Sequence, residues 1–146
     1  MKFGLATPSI LWDLGLIDRK AMAKEVFDAG FDHMFLADHV SFHDGSGADG
    51  FVEAAAMAQL HDELGVMTSI YLLPLRHPLP VARQLSSMAK VAPGRFTFGV
   101  GVGGEDRHEV EICGVDPKTR GRRANEMLAI IRQLLNGETV THEGEI

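Results

Sequence analysis

The chain holds one cysteine, Cys113. It can close no internal disulfide, which excludes the disulfide-built secreted scaffolds and fits a reducing compartment. No apolar run approaches the roughly 18 residues of a membrane span, and Met1-Lys2 leads straight into a short strand with no leader-like segment before it. Basic charge is scarce too: 14 Lys and Arg stand against 20 Asp and Glu, for a net charge of −6. The densest basic cluster, Arg120, Arg122 and Arg123, lies at the start of a predicted helix, so no basic stripe marks a nucleic-acid footprint. No linker or low-complexity tract divides the 146 residues. These absences lead to the expectation of one soluble, cytoplasmic domain over residues 1–146, with small-molecule partners and neither nucleic acid nor membrane among them.

What is present is an ordinary globular composition, 45% hydrophobic and 23% charged. Strand-like segments start near residues 2, 33, 66 and 95, about 30 residues apart, which is the size of one βα unit. Helical patterns fill the gaps. Residues 19–29 follow Asp18 as N-cap and stop at Gly30. Residues 51–64 stop at Gly65. A helix with Pro80 in its first turn runs to about Val91, and another spans residues 120–135 with Asn136-Gly137 at its end. Short strands alternating with helices predict a parallel sheet, either doubly wound or part of a (βα)8 barrel. A full barrel needs about 250 residues, so this chain supplies four of eight units. The tail, residues 138–146, alternates like a short strand.

The unusual chemistry gathers where strands end. Lys2–Ala6 runs into Thr7-Pro8-Ser9, His33–Ala37 into Asp38-His39, and Val66–Leu72 into Leu73-Pro74-Leu75-Arg76. The fourth strand runs into glycines, Gly99-Val100-Gly101-Val102-Gly103-Gly104, where backbone amides can approach a ligand without an intervening Cβ. Asp38 and His39 place a carboxylate and an imidazole at the mouth of the sheet, suited to moving protons near neutral pH; the plainer reading is a turn cap beside a solvated histidine. His43-Asp44 follows within one loop. A metal-dependent barrel hydrolase using Asp38, His39 and His43 is a third reading, although no pair of histidines has the usual ligand spacing. The glycine run also matches G-x-G-x-x-G, but it closes a fourth strand, and Glu105, Asp106 and Glu109 put negative charge where a pyrophosphate would sit. That acidic segment reads as a solvated helix face with Val110 and Ile112 on one buried side, the alternative being that Glu105 or Glu109 reaches a ligand. Cys113 reads as a small buried hydrophobe.

Several ordered motifs then carry a resemblance over essentially the whole chain. They are Met1-Lys2-Phe3-Gly4-Leu5, Phe35-Leu36-Ala37-Asp38-His39, Leu73-Pro74-Leu75-Arg76-His77-Pro78, Ala92-Pro93-Gly94-Arg95-Phe96-Thr97-Phe98 with the glycines that follow, Arg120-Gly121-Arg122-Arg123 through Glu126, and His142-Glu143-Gly144-Glu145. In these the chain resembles the luciferase-like flavin-dependent oxidoreductases. The resemblance implies an α/β fold, the N-terminal half of a TIM (βα)8 barrel, with an isoalloxazine ring across the strand ends. It implies the deazaflavin coenzyme F420 or flavin mononucleotide (FMN) as cofactor, and hydride transfer or oxygen activation on a small organic substrate. It gives His39 as the proton-transfer residue and places Asp38, Ser69, Ile70, Gly101, Val102 and Gly103 around the ring, with a non-prolyl cis peptide at Ser69-Ile70. An acidic residue that some sugar-phosphate-oxidising relatives carry falls at Gly104 here. Four units would expose two sheet edges, so a homo-oligomer or a complementary half-barrel is the expected partner. The competing expectation is a non-catalytic half-barrel.

Overall fold

The computed structural model describes residues 1–43 and 47–144. Asp44, Glu145 and Ile146, all invoked above, lie outside the described residues. Four strands, β1 (Gly4–Ala6), β2 (His33–Leu36), β3 (Gly65–Leu72) and β4 (Phe96–Gly101), form one parallel sheet in the order β1-β2-β3-β4. An order that follows the chain without reversal is that of a barrel wall, not of a doubly wound sheet with its switch point. The fold is therefore α/β, with the four-strand half of a barrel.

Five α-helices follow: α1 (Leu16–Asp28), α2 (Gly50–Met57), α3 (Pro78–Val91), α4 (Arg107–Ile112) and α5 (Arg120–Leu135). α2 packs on β2 and β3, while α3 lies against α2 and α5. Met34, Leu36 and Val66 bury on the helix side, joined there by Ala54, Met57, Val81, Met88 and Met127. Phe51 of α2 anchors this layer, with its ring 4.8 Å from Tyr71 and 5.6 Å from Phe98. The strands' apolar character predicts burial on both faces. Instead Phe35 and Met67 are half-buried and Ala6 and Thr97 exposed on the side away from the helices, because four strands alone do not close over it.

Two helix boundaries and the tail differ from expectation. Gly15, not Asp18, caps α1, and Asp18 falls in its first turn, where a carboxylate still favours the helix dipole. α2 ends seven residues short of the predicted stop because the Arg95 guanidinium takes the carbonyls of Ala58, His61 and Leu64 at 2.9–3.1 Å, leaving Leu60 and Leu64 buried in a non-helical segment. The described part of the tail, residues 138–144, forms no strand. α3 starts at Pro78, with the His77 ring accepting from the Leu79 amide at 3.2 Å.

The glycines of β4 answer to β3. A methyl group at Gly99 would run into the Thr68 carbonyl oxygen, and one at Gly101 into the Ile70 side chain. Register slips between Thr68 and Tyr71, across a cis Ser69-Ile70 peptide. There the Thr68 hydroxyl stands in for the ladder, donating to the Gly99 carbonyl at 2.9 Å and accepting its amide at 3.0 Å. No helix begins on the last glycine, since α4 starts at Arg107 behind its cap Asp106, so the dinucleotide-fingerprint reading has no structural counterpart. Gly99→Ala is expected to destabilise the protein by about 3 kcal/mol or more. Gly121→Ala, in α5 where a methyl meets nothing, is expected to stabilise by up to about 1 kcal/mol. Urea denaturation of the two variants checks both, and a tolerated Gly99→Ala contradicts the close approach.

Candidate active site

The ends of β2, β3 and β4 meet around a cavity of about 350 Å3 whose lining includes Asp38, His39, Ser69, Ile70, Val102, Gly103 and Glu109. Six of the seven expected site residues therefore converge. Gly101 lies behind, where its lack of a side chain makes room for Ile70. A second cavity of about 430 Å3, over β1 and β2, is lined by Thr7, Trp12, Phe35, Glu53, His39 and Ser69 among others. His39 and Ser69 thus stand between the two.

Asp38 is buried at 1% exposure, and its carboxylate is fully engaged. Oδ1 accepts from the Gly50 amide at 2.9 Å and from Arg76 Nη2 at 2.7 Å, while Oδ2 accepts from the Leu72 amide at 2.9 Å. It ties the end of β2 to the start of α2 and the end of β3, so its side chain serves the frame of the cavity. Burial pushes its carboxyl above the ordinary value, with the two amides and the Arg76 charge pulling part of the way back. Arg76 also lies over the Tyr71 ring, 4.7 Å from its centre. Burial pushes the Tyr71 hydroxyl up to about 12.

His39 hangs from a short loop. Its amide donates to the Ala48 carbonyl at 3.0 Å, its ring sits 4.2 Å from that of Phe42, and Gly47, at φ +119, has no room for a Cβ beside it. The ring's Nδ1 is 3.1 Å from Oε2 of Glu109. The other Glu109 oxygen accepts from the Val40 amide at 2.6 Å and the Ser41 amide at 3.0 Å. One turn earlier Asp106 accepts the His43 amide at 2.7 Å and caps α4 through the amides of His108 and Glu109. The acidic segment is thus not simply a solvated face: Asp106 and Glu109 are buried, and Glu105 is exposed on the cavity rim. Ile112, expected on the buried side, is exposed, and Cys113 is half-buried. The Gly103 carbonyl accepts from Arg120 at 2.8 Å, which pins the glycine run to α5.

Among the described residues no three His, Cys, Asp or Glu side chains group closely enough to hold a metal ion. Asp38 is committed to amides and Arg76, so it does not join His39 and His43 in a ligand set. No described helix is long and apolar enough to cross a membrane. The strand ends singled out in the sequence border the cavity, but the partners Arg76 and Glu109 went unassigned. Glu109 lies 70 residues from His39, and only its placement after a strand-end loop hinted that it faces the same mouth.

The Asp38–Arg76 pair and the Glu109–Asp106 clamp carry opposite expectations. Asp38→Ala leaves Arg76 and two amides without their partner and is expected to cost about 3–5 kcal/mol, measured by denaturation. For Asp106, the amides of His43, Glu109 and His108 and the His43 charge hold the carboxyl below its ordinary value of 3.8; the His43 amide is the largest influence, and burial opposes. For Glu109, burial pushes up, but the Ser41 amide, the His39 ring and the Val40 amide together outweigh it and hold the group below 4.5. Depressed carboxyl values stabilise the fold above the unfolded-state value and lose that contribution as pH falls through the folded one. The amide-proton shifts of Val40 and Ser41 are therefore expected to titrate with a midpoint below 4.5, and that of His43 below 3.8. Midpoints above these values would contradict the clamp.

Comparison with known proteins shows the family and the fold. The profile of the family described as luciferase-like monooxygenase matches residues 13–146. An F420-dependent glucose-6-phosphate dehydrogenase of Microbacterium testaceum is 33% identical over 135 residues, covering 88% of this chain and 39% of that protein. The 4-hydroxyprotoasukamycin monooxygenase of Streptomyces nodosus subsp. asukaensis is 34% identical over 113 residues, covering 75% of this chain and 29% of that protein. In fold, the chain superposes on the oxygenating constituent of 3,6-diketocamphane monooxygenase from the CAM plasmid of Pseudomonas putida, solved in complex with FMN. The TM-score is 0.81 at 20% identity, covering 99% of this chain and 42% of that one. An F420-dependent secondary alcohol dehydrogenase with an F420-acetone adduct gives 0.74 at 22% identity, covering 99% and 46%. The chain spans about two fifths of the length of the first of these relatives.

Proposed function

The chain belongs to the luciferase-like monooxygenase family, and on that footing we propose that it contributes the ring seat and the proton-transfer histidine of a flavin- or deazaflavin-dependent oxidoreductase acting on a small organic substrate. The observation that carries the proposal is the cavity itself. Its lining combines the exposed apolar side chains of Ile70 and Val102 with the bare backbone of Gly103 and Gly104, and His39 stands at the edge. A flat, partly apolar ring with amide-seeking edges fits such a lining, and about 350 Å3 is within the range of small-molecule sites. The lining carries Asp38, Glu105, Asp106 and Glu109 but no Lys or Arg. It suits the ring and not the phosphates of FMN or of F420.

Bound there, the ring would supply the hydride chemistry or, as reduced flavin, the activation of oxygen. The chain's own residues do the rest. Ile70 and Val102 exclude water from the seat. Ser69, beside Ile70, borders both cavities and so marks where the ring's edge meets the substrate side. His39 reaches both cavities as well and holds or moves a proton on the substrate. Relatives named as dehydrogenases and as monooxygenases are both similar to this chain; a proton-moving histidine at the ring's edge favours hydride transfer.

A fluorescence titration of the purified chain with F420 and with FMN tests the seat. Saturable binding of one is expected, and its identity names the cofactor. His39→Ala is expected to lower turnover by about 10²–10⁴-fold with cofactor affinity nearly unchanged. Equal losses in both would make His39 structural. No saturable binding to a folded sample would leave the alternative, a non-catalytic half-barrel.

A further inference from the structure

We propose that Glu109 is the positioning residue for His39: it fixes the imidazole proton on Nδ1 and so keeps Nε2 as an unprotonated acceptor for a substrate proton. This rests on the proton-transfer reading of His39 and adds to it the direction in which the ring is set.

The argument is one of donors and acceptors. Glu109 is 2% exposed, and the hydrogen bonds on its carboxylate hold the carboxyl below its ordinary value. An ionised carboxylate only accepts. Its Oε1 already receives two N–H groups, from Val40 and Ser41. Oε2 faces Nδ1 of His39 at 3.1 Å, so Nδ1 must be the donor. A neutral imidazole has one N–H, and with that proton on Nδ1 the Nε2 atom is an acceptor. The ring has little freedom to escape this arrangement. The Phe42 ring lies tilted against it with centroids 4.2 Å apart, and Gly47 packs against the His39 Cβ. The same carboxylate fixes the loop that carries the ring, so the chemical and the mechanical constraint come from one side chain.

With a ring bound, the cofactor would take up hydride from the substrate's C–H in the oxidising direction, and Nε2 of His39 would receive the proton as the substrate's O–H bond breaks. The resulting imidazolium then lies against the Glu109 carboxylate, which stabilises its charge.

Glu109→Gln inverts the arrangement with almost no change of shape. The Gln carbonyl must keep facing the Val40 and Ser41 amides, because an NH2 group there would set donor against donor. The NH2 then faces Nδ1 and donates to it, and the ring proton moves to Nε2. The experiment is a long-range 15N–1H correlation spectrum of the imidazoles in the cofactor-free chain, at a pH where the ring is neutral, together with steady-state kinetics. The wild type is expected to show His39 in the Nδ1–H form and Glu109→Gln in the Nε2–H form. Turnover in substrate oxidation is expected to fall by about 10²–10⁴-fold, the scale of losing a proton acceptor or holding the wrong tautomer, with cofactor affinity retained. An Nε2–H wild type overturns the proposal outright, whether or not the variant folds. An inverted tautomer with unchanged oxidation overturns the link to proton acceptance. Because the tautomer is read without cofactor, a failure of the oxidoreductase reading would appear separately, as absent binding beside an intact Nδ1–H signal.

Discussion

The Asp38 carboxylate is the constraint from which the site's geometry follows. One buried anion accepts from the amide that opens α2, from the amide of Leu72 at the end of β3, and from Arg76. The two amides are groups that a strand end or helix start would otherwise leave unsatisfied in the interior. Burying a carboxylate is costly, and the arrangement is tolerable because both oxygens accept hydrogen bonds and a guanidinium sits beside them. The consequence is positional. With Asp38 drawn into the layer between sheet and helices, His39 is delivered to the cavity rim, and β3 is held where its irregular Ser69-Ile70 segment faces the glycines of β4.

A second pair of acids completes the enclosure from the other side. Asp106 and Glu109, on and just before α4, take the backbone amides of Val40, Ser41 and His43, so the loop after β2 is hooked to the helix after β4. Strand ends that are not neighbours in the sheet are thereby joined across the mouth of the cavity. The glycine run between them is small because its neighbours come close: the Thr68 carbonyl at Gly99, Ile70 at Gly101 and Arg120 at Gly104. Close backbone approach, not phosphate binding, explains the pattern, and what remains between β3 and β4 is a shallow apolar floor suited to a flat ring.

Much of this was legible in the sequence because it depends on local signals. Strand spacing of about 30 residues, the stops at Gly30 and Asn136-Gly137 and the helix over 120–135 translate directly into four parallel strands, the end of α1 and α5. The strand ends line the cavity, as they do across barrel enzymes, where loops there are free to vary while the strands fix their positions. What stayed hidden depends on distant contacts. The early end of α2 is set by Arg95, more than thirty residues away, and propensity over 58–64 gives no warning of it. Asp38 reads in sequence as a site carboxylate, yet its partners turn it inward. Glu109 reads as one acid among several on a short helix, and only the fold brings it to His39.

The central claim is that a flavin or deazaflavin ring rests on the floor formed by Ile70 and Val102 with His39 at its edge. Methyl-resolved NMR of the chain with added FMN or F420 tests it most directly, because the two floor residues and a distant exposed reporter, Leu79 of α3, can be followed in one experiment. The account predicts saturable shifts of the Ile70 and Val102 methyls, ring-to-methyl cross-peaks at both, and a still Leu79. Saturable binding that leaves Ile70 and Val102 unmoved, or that shifts Leu79 instead, would contradict it.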